Sequence, residues 1–341
     1  MLPPARRCAA KKKLTFAEFI MNPLVSRALP RALSALAMGL TDRRRAIVIF
    51  GDSLTQRSFQ PAGWGAALAM RYQRRVDVIN RGFGGYNSRW CLAMVDELFP
   101  ASARGRDKPL LVTVMLGTND AALPEVEPAP TVPLEEYRSN LDAIVAKLKQ
   151  RAEHVVVMTP PCMDEPGRLA YQRETYQDDA VGRLERTNAN TRRYADAAMA
   201  VAMLHGVPCV DLFASTSDAL ESAAASTDGP TTLFDDGIHF NALGQEVVYA
   251  SLVRVIESAP GLEDLDPEKM PPDWPFGPDL RANPDAWRET FDAHLEKRGG
   301  GGRGGVASPR SSVDWEGARG WIVAAGMTAA HFASRKLLGA R

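Results

Sequence analysis

Asp236 and His239 stand three residues apart in the stretch FDDGIHFNALGQ, residues 234–245. A serine hydroxyl is a poor nucleophile at neutral pH. It needs a base, and an imidazole base needs a carboxylate to fix its tautomer and stabilise its protonated form. Asp236 and His239 supply both from one short loop. Of the five histidines, His239 alone has such a close neighbour beside a glycine and ahead of a helix pattern, whereas His154 opens a strand pattern and His205, His294 and His331 fall in helical or tail sequence. For those four, ordinary packing or surface roles are the expectation.

A hydroxyl for that base lies far away in sequence. AIVIFGDSLTQ, residues 46–56, runs from aliphatic residues into Gly51, Asp52 and Ser53. On a parallel sheet, the carboxyl end of a strand is where a nucleophile is displayed, although a Gly-Asp-Ser sequence also makes an ordinary capped turn. LVTVMLGTND, residues 111–120, repeats the arrangement with Asn119 and Asp120. An Asn amide there can donate toward a developing oxyanion, or it can close an Asx turn. A third loop, RGFGGYNSRW at 81–90, carries Gly82, Gly84 and Gly85, whose backbone can approach a ligand closely.

These loops require a sheet to hold them. Five runs read as fully buried parallel strands: 46–50, 76–80, 110–116, 154–158 and 208–213. Helical patterns lie between them. The clearest has Leu134, Tyr137, Leu141, Ile144, Val145 and Leu148 on one stripe, and another runs from about Arg183 to Leu204 and stops at Gly206. Strand and helix in alternation predict an α/β fold, a three-layer sandwich on a five-stranded parallel sheet.

The chain has 341 residues with 45% hydrophobic and 24% charged, an ordinary globular composition that excludes disorder of the whole chain. Charge is unevenly placed. Residues 1–45 carry ten Lys or Arg against Glu18 and Asp42, residues 296–341 are net +5, and 46–295 is left at −13. An acidic body repels a phosphate backbone, so nucleic acid is excluded as a partner of the core. Cys8, Cys91, Cys162 and Cys209 are far apart and show no zinc-ligand spacing. Without a disulfide pattern or an N-x-S/T acceptor, the chain reads as intracellular.

The first 45 residues match both a mitochondrial or plastid transit peptide and a basic disordered arm, so the expected location is cytoplasmic or organellar. Residues 46–258 read as the catalytic domain and 259–295 as a proline-rich arm laid over it, with Trp274, Phe276 and Trp287 seeking burial. Residues 296–341 read as a GGGGRGG linker at 299–305 and an apolar tail helix. The uncharged stretch 320–334 is fifteen residues, too short at about 1.5 Å each to cross a hydrocarbon core of roughly 30 Å. With the basic ends, it suits peripheral attachment to an anionic membrane or a disordered extension.

Taken together, the four blocks resemble those of the GDSL, or SGNH, hydrolases, over about residues 47–258 and the proline-rich arm. FGDSLTQ resembles the first block, which implies Ser53 as nucleophile. RGFGGYN resembles the second, which implies Gly85 in the oxyanion hole; many members carry Ser where this chain has Gly84, so Gly84 stands as an alternative. LGTND implies Asn119 as the side-chain donor, and DGIH implies Asp236 and His239 as the rest of a triad. The resemblance further implies a flavodoxin-like sandwich, with Ser53 contributing its own N–H to the oxyanion hole.

Within the family, GYNSRW, DGIHFNALG and PPDWP look most like the isoamyl acetate-hydrolysing esterase group. That implies a small-molecule substrate, a short-chain acetyl-type ester, and no metal or organic cofactor. Carbohydrate acetylesterases, thioesterases and lysophospholipases share the same blocks, and a catalytically silent binding protein is the non-enzyme alternative. Asp52 is expected to shape the turn only, because a second carboxylate beside the nucleophile would oppose an oxyanion. A His base predicts activity lost on acidification.

Overall fold

The computed structural model describes residues 44–103, 105–176, 183–225, 232–282 and 284–299. The basic stretch up to residue 43 with Cys8, and the glycine-rich linker and apolar tail beyond 299 with His331, lie outside the described residues.

In chain order the elements are β1 (Arg45–Gly51), α1 (Ser53–Gln56), α2 (Trp64–Arg71), β2 (Val76–Gly82), α3 (Ser88–Leu98), β3 (Leu111–Met115), α4 (Leu134–Arg151), β4 (His154–Met158), α5 (Glu165–Tyr176), α6 (Asn188–His205), β5 (Cys209–Val210), α7 (Leu212–Ala224), α8 (Ala242–Ser258), α9 (Gly277–Ala282) and α10 (Trp287–Gly299). The strands form one sheet in the order β2-β1-β3-β4-β5, and every pair is parallel. In that register Gly51 lies beside both Gly82 and Met115, so β1, β2 and β3 end level with one another.

Side chains of β1 alternate between two cores, as the period of a strand requires. Ile47 and Ile49 face one core with Trp64 and Leu68 of α2 and Val248, Leu252 and Ile256 of α8. Val48 and Phe50 face the other with Val95 of α3, the Tyr137–Leu148 stripe of α4 and Ala198, Val201 and Ala202 of α6. These are the three layers expected from the sequence. Among the described residues no helix is long and apolar enough to cross a membrane.

The strand at 76–80, expected to be fully buried, is the sheet's edge strand β2 and is buried only at Val76. Two other elements differ from their sequence-based expectation in extent, each because of a cap. The fifth strand is Cys209–Val210 rather than 208–213, since the Asp211 side chain accepts from Ala214 N (3.0 Å) and starts α7 at Leu212. Helix α6 begins at Asn188 instead of near Arg183, where Thr187 Oγ1 accepts from Asn190 N (3.2 Å). Its other end is as expected, with Gly206 at φ 61° closing the helix. Glu185 and Arg186 are thereby left in the loop ahead of α6. Cys91 lies buried in α3 and Cys209 half-buried in β5, whereas Cys162 is buried in the loop after β4.

The chain divides into two compact units between Asp273 and Trp274. In the first, the start of the proline-rich arm joins the sheet's core through Leu262 and Leu265, and Tyr72 Oη donates to the Leu265 carbonyl (2.7 Å). Asp273 accepts from Arg44 Nε (2.8 Å) and Arg74 Nε (3.3 Å). In the second unit, the Phe291 ring sits 5.6 Å from Trp274 and 5.9 Å from Trp287. Trp274 and Trp287 keep 38% and 46% of their surface exposed despite their size.

Candidate active site

The turn after β1 is built around close backbone approach. A Cβ on Gly51 would come within 2.4 Å of the Met115 carbonyl and 2.3 Å of Thr55 Oγ1, so only glycine lets β1 turn this tightly beside β3. Asp52 then caps α1, accepting from Leu54 N (2.9 Å), and this places Ser53 at the first helical position with its hydroxyl partly exposed.

The loop 234–240 brings the base and the acid together. Phe234 and Phe240 stack at 5.4 Å and are joined by an antiparallel bridge, while Asp235 N donates to the His239 carbonyl (2.8 Å). Both rings are buried, so the residues between them are held as a tight loop. Across 186 residues of sequence, His239 Nε2 lies 3.0 Å from Ser53 Oγ. His239 Nδ1 lies 2.7 Å from Asp236 Oδ2, and Asp236 Oδ1 accepts from Ile238 N (3.0 Å) and His239 N (2.8 Å). Burial alone would raise the Asp236 carboxyl, but hydrogen bonds from the His239 side chain and from the His239 and Ile238 backbone outweigh it and hold the group well below the usual carboxylate range. The carboxylate therefore stays ionised and accepts from the imidazole. Hydroxyl, imidazole and carboxylate stand in one hydrogen-bonded line, the arrangement that activates a serine.

Two other histidines also meet carboxylates. His154 Nε2 lies 3.0 Å from Asp264 Oδ2, and His205 Nε2 lies 2.7 Å from Asp142 Oδ1. Neither partner was visible as a sequence neighbour. Among the described residues only His239 bridges a carboxylate and a serine hydroxyl, so the serine, not the carboxylate, distinguishes it.

The loops after β2 and β3 interlock beside Ser53. Gly84 N donates to Gln56 Oε1 (2.6 Å), Asn119 Nδ2 donates to the Tyr86 carbonyl (2.9 Å), and Ser88 N donates to both Asp120 oxygens (2.9 and 3.1 Å). Gly85 has φ 78°, in the left-handed region that favours glycine. Its N–H meets no acceptor among the described residues, whereas that of Gly84 is already committed to Gln56. Between the two glycines, Gly85 is the one with a donor to offer. Of the five residues selected from the sequence, Ser53 thus opens α1 at the carboxyl end of β1, Gly85 and Asn119 lie on the loops after β2 and β3, and Asp236 and His239 lie on the loop tied to Ser53 through the His239 contact.

Sequence reasoning missed a buried group of charges behind this site. Arg186 Nη2 donates to Asn119 Oδ1 (3.1 Å) and its Nε to the Thr118 carbonyl (2.8 Å). Arg168 of α5 reaches the Asp236 carbonyl (3.3 Å). The Thr187 cap was a readable sign that Arg186 precedes the helix, but nothing local linked it to Asn119, 67 residues earlier. Among the described residues no group of three or more His, Cys, Asp or Glu is placed to hold a metal ion.

Asp52 acts at the turn, as a cap. Its Oδ2 is buried and meets no donor among the described residues. Burial pushes its carboxyl up to about 7 against the opposing Leu54 hydrogen bond. The folded state therefore retains a proton that the unfolded chain has lost by about pH 4, and stability falls as pH rises through that window. Asp236 has the opposite sign, but its contribution changes only in more acid solution. Unfolding free energy is expected to drop on the order of 1–3 kcal/mol between pH 5 and pH 8. Asp52→Asn, which preserves the cap, should reduce that slope in denaturant titrations, leaving the part that belongs to Asp120, whose carboxyl burial pushes up to about 6.

A parallel three-layer sheet with a hydroxyl, an imidazole and a carboxylate aligned at its carboxyl end has the architecture of a carboxylic ester hydrolase. Residues 49–247 match the GDSL-like lipase/acylhydrolase family, and the chain belongs to it. A GDSL esterase/lipase of Arabidopsis thaliana is 38% identical over 235 residues, covering 68% of this chain and 92% of the relative. The isoamyl acetate-hydrolyzing esterase 1 homolog of Bos taurus is 36% identical over 216 residues, covering 62% of this chain and 81% of the relative. Among solved structures, a lipase/acylhydrolase from Enterococcus faecalis aligns with a TM-score of 0.46 at 24% identity, over 62% of this chain and 95% of its own. The enzyme is an ester hydrolase of the GDSL family.

Proposed function

We propose that this enzyme is a serine esterase that cleaves short-chain, acetyl-type carboxylic esters through an acyl-enzyme. The observation that carries the reading is the single line from Asp236 through His239 to Ser53, with spacings of 2.7 and 3.0 Å. In the first half-reaction Ser53 Oγ bonds to the ester carbonyl carbon as His239 Nε2 takes its proton. The carbonyl oxygen becomes an oxyanion, received by the N–H groups of Ser53 and Gly85 and the second N–H of the Asn119 amide. When that intermediate collapses, the carbon–oxygen bond to the alcohol breaks and His239 returns the proton to the departing oxygen. Water then repeats the sequence on the acyl-enzyme, giving up a proton to His239 and releasing the acid and free Ser53.

The acetyl-type preference is supported by the similarity to the isoamyl acetate-hydrolyzing esterase 1 homolog, itself named for a short ester. A fluorophosphonate probe reports the nucleophile directly. Labelling is expected at Ser53 alone, with loss of p-nitrophenyl acetate hydrolysis in proportion, and an acetyl ester should be turned over faster than the butyryl and octanoyl esters. Full activity in quantitatively labelled protein, or preference for octanoate, would contradict the proposal.

A further inference from the structure

A chain of buried charges joins the two halves of the site from behind. Arg168, Glu185 and Arg186 are each more than nine-tenths buried, on a helix and a loop that the sequence places 17 residues apart. Glu185 is the hub. Its Oε1 accepts from Arg168 Nε (2.6 Å) and Arg186 Nη1 (3.3 Å), and its Oε2 accepts from Gln172, one turn along α5 from Arg168. Glu127 Oε2 also approaches Arg186 Nη1 at 3.0 Å. One end of the chain touches Asp236 through Arg168, and the other touches Asn119 through Arg186.

The chemistry of the Asn119 contact is directional. A primary amide presents an oxygen on one side and two N–H bonds on the other, and the two orientations are close in shape. A guanidinium has donors only, so the group facing Arg186 must be the amide oxygen. The Tyr86 carbonyl, an acceptor, takes one of the N–H bonds on the other side. The second N–H is then the one left for an incoming carbonyl oxygen.

Building on the proposed triad and oxyanion hole, we infer that Arg186, anchored by Glu185, is a positioning residue that fixes the orientation of the Asn119 amide so that an N–H faces the oxyanion. Arg186 touches no reacting atom. It acts through Asn119, and because the guanidinium also holds the Thr118 carbonyl, it fixes the backbone carrying that amide as well as the side chain. Lysine cannot substitute in this role: a single ammonium keeps the charge and the Glu185 pairing, but lacks the rigid fork that bonds the Thr118 carbonyl and Asn119 Oδ1 together. A misdirected donor weakens the transition state rather than substrate binding, which assigns the defect to kcat.

The test is a mutant cycle on the full-length enzyme with p-nitrophenyl acetate: Arg186→Lys, Asn119→Ala and both together, with Arg186→Met and Ser53→Ala alongside. Arg186→Lys is expected to fold, judged by an unchanged cooperative melt, and to lose about 10- to 100-fold in kcat with KM little changed. In the Asn119→Ala background, itself slower by about 10²–10³, the same replacement should have almost no further effect. A similar fold-loss in both backgrounds, a defect confined to KM, or wild-type kcat in Arg186→Lys would overturn the inference. So would an Arg186→Met enzyme that folds, is slow, and is fully restored by Lys, because charge alone would then account for the effect. Should Arg186→Met fail to fold, Arg186→Lys decides the matter. Persistent turnover in Ser53→Ala would instead remove the proposed mechanism on which the inference rests, an outcome separate from any behaviour of Arg186.

Discussion

Ser53→Ala is expected to lower kcat for p-nitrophenyl acetate by about 10⁶, to the level left by oxyanion binding alone, while the protein melts as the wild type does. The loss follows from geometry. Without Oγ, His239 Nε2 faces nothing from which to take a proton, and no acyl-enzyme can form. Folding should be unaffected because the side chain is partly exposed at the first position of α1 and is not the cap; that role belongs to Asp52. Stopped-flow measurement with the acetyl ester checks both halves of the mechanism, since the wild type should show acylation preceding steady turnover and the variant should show neither. Turnover within tenfold of wild type would exclude Ser53 as the nucleophile.

The second large effect belongs to His239. His239→Ala should cost about as much in kcat as Ser53→Ala, and the double variant should be no slower than either single one, because the two groups act as a unit. Asp236→Asn should cost about 10⁴, since the ring would be held without the negative charge that stabilises its protonated form. The same arrangement sets the pH dependence. Asp236 remains ionised well into acid, so the acceptor that orients the imidazole is kept as the solution is acidified. Activity should fall on acidification, because a base that already carries a proton cannot take one from Ser53. A profile that stays flat to strongly acid pH would contradict the assignment of His239 as base.

The framework was readable in sequence wherever a single strong rule governed. The aliphatic runs of β1, β3 and β4 are nearly free of polar residues, so burial on both faces was the economical reading, whereas β2, which carries Asp77 and Asn80, is an edge strand buried only at Val76. The α4 stripe likewise fixed which side met the sheet. Where two rules competed, local pattern lost to capping: the aliphatic and aromatic residues after Val210 suited a strand, yet Asp211 turned them into α7, and Thr187 trimmed α6 to Asn188. At the site, Asp236 and His239 stood out because they are three residues apart, whereas Ser53 and Asn119 lie at strand ends that suit capped turns as well, and only the four blocks taken together singled them out. Arg168, Glu185 and Arg186 were not legible. Their meaning comes from contacts across 67 and 68 positions, which no periodicity or short motif encodes.

The stacked pair of Phe234 and Phe240 has a mechanical implication. Because it clasps the ends of the segment bearing both Asp236 and His239, it holds the aspartate and imidazole in one tight loop and sets how far that loop reaches toward the first strand's turn. A lesion that loosens the clasp should lengthen the reach from the imidazole to the hydroxyl. Acylation and deacylation would then slow in parallel, and a stronger external nucleophile added alongside water would not restore the rate, because acylation precedes its entry.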